Sequence, residues 1–134
     1  VRVIRSGPVV VVVLAALTAC GGVDARENGA AGAASRFVAS LRAADTTRGC
    51  AALAPGTRDE LEQSAELPCV RALPEVGLRP GEKVRRVDVY GHQARVVTDR
   101  DTLFLSTFPG GWKITAAGCT ARPEKPYQCL IKGG

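Results

Sequence analysis

Histidine is nearly absent from this chain: His92 is the only one among 134 residues. A hydrolytic triad would have to run through it, yet no Gly-x-Ser-x-Gly elbow accompanies it. Next to the turn glycine Gly91, it reads as an exposed turn residue. No Cys-x-x-Cys pair occurs, and His92 lies far in sequence from every cysteine, which disfavours zinc. Gly110-Gly111 opens no phosphate loop, and no Gly-x-Gly-x-x-Gly run is present. Calcium needs about six or more oxygens, whereas Asp99-Arg100-Asp101 offers only turn chemistry. No metal or cofactor is expected. A membrane-spanning run is lacking too: Val9 to Ala19 covers only about 11 residues where a spanning helix needs about 20.

What that short run does have is context. Arg2 and Arg5 precede it, and Leu17-Thr18-Ala19-Cys20 closes it. Charge, an apolar stretch and small residues form the layout of a secretory signal. Val9 to Val13 is a β-branched block without a polar face, so a buried core helix is disfavoured. The closing tetrapeptide resembles the lipobox of bacterial lipoproteins. That resemblance implies cleavage before Cys20, a diacylglyceryl thioether on its sulfur and acylation of the new amine by a chain such as palmitate. Two or more acyl chains hold a protein on a bilayer where one barely does. The partner so implied is the lipid bilayer, and the location is the cell membrane, on the extracytoplasmic face.

The remaining chain bounds the rest. Gly21 to Ala34 is rich in Gly, Ala and charge and is expected to be a flexible tether over 20–34. Residues 35–134 then make about 100 residues, enough for one domain. Removing Arg2 and Arg5 from a formal +5 leaves an ordinary positive balance. Lys83, Arg85 and Arg86 read as a solvated strand face, and no nucleic-acid partner is expected. Four cysteines remain in an oxidising setting, Cys50, Cys69, Cys119 and Cys129, and read as disulfides. Three pairings are open to four cysteines. Nearest-neighbour closure favours Cys50–Cys69 and Cys119–Cys129.

Along the chain, Ser35 is expected to cap a helix carrying Phe37, Val38, Leu41 and Ala44 on one face. Asp45-Thr46-Thr47 breaks it and caps a second helix bearing Cys50 and Leu53, which Pro55-Gly56 should end. Thr57 to Glu60 has capping-box spacing for a short third helix. Val70 to Val76 allows one more helical turn. After Gly81 the pattern alternates. Strands are expected over Lys83 to Tyr90, His92 to Thr98, Thr102 to Phe108 and Trp112 to Ala117, with Pro109-Gly110-Gly111 as a hairpin turn. Helices followed by a four-stranded antiparallel meander give an α+β fold, with Phe104 and Trp112 as large anchors.

Phe37-Val38-Ala39-Ser40-Leu41-Arg42-Ala43-Ala44-Asp45 resembles the opening helix of nuclear-transport-factor-like, or ketosteroid-isomerase-like, cone domains, which actinobacterial-type lipoproteins often carry. The resemblance implies helices packed on a curved, cone-like sheet. Enzymes of that family use an acidic base and a hydrogen-bonding partner, but no residue here matches such a motif. Asp88 and Tyr90 share a strand face and could pair an acid with a phenol; the plainer reading has Asp88 in solvent and Tyr90 ending its strand. The Cys119 to Cys129 tail could display Arg122, Lys125 and Tyr127 as a recognition loop. It could instead seal the sheet edge through Leu130 and Ile131, and sealing is the preferred reading. The expected function is a non-catalytic envelope lipoprotein that binds a small apolar ligand or a protein partner, with Tyr90, Arg122, Lys125 and Tyr127 as candidate binding residues. The alternatives are a small cone-fold enzyme acting on a hydrophobic molecule and a purely structural envelope protein.

Overall fold

Ala30, Ala33, Ala34, Phe37, Val38 and Leu41 recur at helical spacing, and all face inward in one long helix, α1 (Gly21–Arg42). The structure, a computed structural model, describes residues 2–3, 7–8 and 21–133. Cys20 and the signal segment over Val9 to Ala19 lie outside the described residues. The stretch from Gly21 to Ala34, expected as a tether, is instead the larger, N-terminal part of α1, with Ala30 fully buried. Small alanines let the helix lie close to its neighbours. Asp24 in the first turn and Arg42 in the last both suit the helix dipole.

Three shorter helices follow: α2 (Thr46–Ala52), α3 (Pro55–Ala65) and α4 (Cys69–Glu75). Asp45 caps α2 as expected, its Oδ1 accepting from the Arg48 amide at 3.1 Å. Gly49 sits where α1, α2 and α4 meet; a Cβ there would come within 2.7 Å of Leu73. Pro55 does not end α2 but starts α3, at the first helical position, where its missing N–H costs nothing. Thr57 is therefore inside the helix rather than its cap, and its hydroxyl donates to the Thr115 carbonyl at 3.1 Å. The amide of Cys69 donates to Glu62 Oε2 at 3.1 Å, which satisfies the start of α4.

The second half of the chain is an antiparallel sheet: β1 (Val84–Tyr90), β2 (Gln93–Thr98), β3 (Thr102–Phe108), β4 (Gly111–Arg122), β5 (Lys125–Gln128) and β6 (Ile131–Lys132). The first four run in sequence order, as the short turns require. The sheet has six strands rather than the expected four, because β4 runs on to Arg122 and the tail returns along it twice. Register shifts against β3 leave extra residues on β4, and Gly118 there adopts φ +64°, a bulge conformation that glycine takes without steric cost.

The second edge of β4 is covered piece by piece. Ala54 donates to the Ile114 carbonyl at 2.8 Å, Gly133 to Thr115 at 3.0 Å and Leu130 to Ala117 at 3.2 Å, and β5 then pairs with Thr120 and Arg122. The helices pack on the face formed by Ala94, Val96, Leu103, Leu105 and Ile114. Phe37, at 1% exposure, is the largest fully buried side chain among the described residues. Phe104 and Trp112, expected as the anchors, are only partly buried: Phe104 lies on the opposite sheet face from Leu103 and Leu105.

Two disulfides staple the halves, Cys50–Cys69 between α2 and α4 and Cys119–Cys129 across the tail. The nearest-neighbour pairing is the one observed.

Candidate functional site

Two places on the molecule assemble chemistry from separated parts of the chain. The first is the outer sheet face, away from the helices. Asp88, Arg95 and Phe104 form one cross-strand row. Arg95 grips Asp88 Oδ2 with Nε at 3.1 Å and Nη2 at 2.8 Å, and Arg86 Nε donates to Oδ1 at 2.9 Å. The Arg95 hydrogen bond holds the Asp88 carboxyl below its ordinary value, burial opposes this, and Arg86 adds to the lowering. Arg95 is raised in turn, first by Asp88 and in small part by Tyr127. Tyr127 closes the row, edge-on to Phe104 with ring centroids 5.1 Å apart. A carboxylate held ionised by two guanidiniums is a weak proton acceptor. This row is a cross-strand lock.

The expected binding residues are thus dispersed. Tyr127 is packed on the sheet, and Arg122 Nε donates to the Pro126 carbonyl at 3.1 Å within its own hairpin. Lys125 is exposed beside it. Tyr90 ends β1, 63% exposed, at the other end of the sheet from Arg122 and Lys125. The tail covers the β4 edge through Ile131, which is buried; Leu130, expected to dock with it, is exposed. His92 is an exposed turn residue, with Nδ1 3.1 Å from Thr107 Oγ1. Asp101 holds its own turn, accepting from the Thr98 hydroxyl at 2.7 Å, and Asp99 and Asp101 also tie that turn to the segment before β1 by accepting from the Lys83 and Gly81 amides, each at 3.2 Å. Among the described residues no three His, Cys, Asp or Glu side chains cluster as metal ligands.

The second place is an open groove of about 570 Å³ between α1, α2 and the β3–β4 turn. Its floor is small and apolar: Ala33, Ala39, Ala43, Ala51 and Ala52. Trp112 forms one wall, its indole lying over Gly29 of α1, where an added Cβ would come within 3.0 Å of Nε1. Arg36, Arg48 and Lys113 bring positive charge, against the single carboxylate of Asp45. Asp45 is already engaged with Arg48, both as cap and through Nε at 3.4 Å. Lys113 Nζ donates to the Ala51 carbonyl at 2.9 Å, which fixes its ammonium at the rim with two N–H donors to spare. Among the described residues neither Arg36 nor Lys113 is in an ion pair.

A second groove of about 410 Å³ lies between α1 and the start of β1, but there Arg42 is neutralised by Glu82 at 3.2 Å. The cationic groove is therefore the better binding site. Its residues come from three elements with no shared sequence spacing, so no motif could have announced it. The chain matches no protein-family model, no curated protein and no solved structure.

Proposed function

We propose that this chain is an exported lipoprotein, held on the extracytoplasmic face of the cell membrane through acylated Cys20, and that it binds an anionic molecule with an apolar portion. The observation that carries the binding reading is the groove at Trp112: an apolar floor with Arg36, Arg48 and Lys113 at its rim. Cations at the rim set orientation, and an alanine floor with an indole wall takes the apolar part. Two disulfides support export, because such bonds persist in oxidising compartments.

Kinship with the cone domains enters this proposal only through the order of elements, helices and then an antiparallel sheet. A cone-type isomerase would need a carboxylate base on the sheet face that the helices cover. That side is occupied by Val96, Leu103, Leu105 and Ile114, while Asp88 lies on the other face between two arginines. Binding is accordingly favoured over catalysis.

Titration with dodecyl phosphate, followed by Trp112 emission, tests the groove. Saturable binding is expected, weakened about tenfold in Lys113→Ala by loss of one charge-assisted contact. Equal affinity in the wild type and in an Arg36→Ala/Lys113→Ala double variant would refute the groove. For the anchor, Cys20→Ser should move the protein from the membrane fraction to the soluble one.

A further inference from the structure

We infer that the turn end of the sheet, bearing Tyr90 and Phe108, rests on the bilayer surface beside the anchor, so that the domain lies against the membrane instead of swinging from it. This rests on the anchoring proposed above. The direction of α1 carries the argument. Gly29 lies against Trp112, next to the β3–β4 turn, whereas Arg42 reaches Glu82, just before β1. The helix therefore starts at the end of the sheet where the Gly91 and Gly110-Gly111 turns are. Gly21 precedes Gly29 by about two helical turns, roughly 12 Å of axis, and so projects past that end.

Cys20 directly precedes Gly21, with no flexible tether between anchor and domain. The same end carries exposed apolar side chains that the fold does not use: Val23 at 57%, Tyr90 at 63% and Phe108 at 36% exposure. Tyr90 and Phe108 share the outer sheet face, two strands and two residues apart, roughly 12 Å. A tyrosine, with an apolar ring and a polar tip, settles at the headgroup level of a bilayer, and the wholly apolar ring of Phe108 can enter just below it; the two at a strand turn beside an acyl anchor make such a contact. A lipid surface is the occupant this arrangement fits, because the anchor would deliver that surface to this end.

The test uses the acylated full chain in vesicles of phosphatidylglycerol and phosphatidylethanolamine, with bromine near the headgroup end of the acyl chains. Trp112 is the only tryptophan, so a Trp112→Phe/Tyr90→Trp variant moves the sole indole to the contact. Bromolipid should quench that indole and shift its emission to the blue, and adding Phe108→Asp should abolish most of the quenching. Native Trp112 quenching in the unaltered chain is the second readout, independent of that variant's folding. A chain that sediments with vesicles while both indoles ignore bromolipid would overturn the docking and spare the anchor. A chain whose mass shows Cys20 unmodified would overturn both.

Discussion

The Thr57 hydroxyl donates to the main-chain carbonyl of Thr115 at 3.1 Å, and with the Ala54 bond to Ile114 it ties the third helix to the bulged stretch of β4. The same carbonyl accepts from the Gly133 amide at 3.0 Å, so helix, central strand and tail meet on one oxygen. Thr57 is fully buried. Thr57→Val keeps the shape and removes the donor, and should cost about 1 kcal/mol. Urea unfolding should show a lower midpoint with an unchanged slope. An unaltered midpoint would mean that the bond contributes nothing net.

Ala30 tests whether the first half of α1 is structural. It is fully buried against the core, so Ala30→Asp would place an unpaired carboxylate there and should destabilise by about 3–5 kcal/mol. In a flexible tether the same change would be neutral. Phe37→Ala, which opens a void at the centre of the same contact, should cost about 3–5 kcal/mol.

These positions also show what could be read in advance. The Asp45 cap and the strand from Thr102 to Phe108 were legible, because a capping carboxylate and a β-rich run between turn residues leave strong local marks. The cysteine pairing was legible because the short loops favour it. The start of α1 was not: Ala30, Ala33 and Ala34 are weakly apolar, and the glycines among them imitate a linker. Pro55 has two meanings in a helical pattern, stop and start, and only the Ala54 bond to Ile114 distinguishes them. β5 and β6 are too short, and too interrupted by Pro126, to show a period. The groove depends on Arg36, Arg48 and Lys113 converging in space, which no linear spacing encodes.

Each disulfide should matter to a domain this small. Closing loops with sequence separations of 19 and 10 contributes about 3 kcal/mol apiece in the chain-entropy model. Cys119→Ala/Cys129→Ala should loosen the tail and lower stability by about that amount. Partial proteolysis should then cut first between residues 119 and 130. Resistance equal to that of the bridged chain would show that β5 and β6 hold the tail unaided.

Acid should weaken the outer-face lock. Asp88 has a folded-state pKa below its ordinary value, chiefly through Arg95, and Asp99 is lowered by the Lys83 amide. Both contributions are complete above the ordinary carboxylate range and are lost as pH falls through the depressed folded values. Stability measured from pH 7 down to about 2 should therefore decline in acid, and Asp88→Asn should flatten that decline. A variant as acid-sensitive as the wild type would remove Asp88 from the explanation.

Intact-mass spectrometry of the protein extracted from the membranes of its native host decides whether Cys20 is the anchor. Expected is a chain beginning at Cys20, heavier by a diacylglyceryl group and an acyl chain, and lighter by four hydrogens for its two bridges. A chain still carrying residues 1–19, unacylated and with its thiols free, would contradict the anchor.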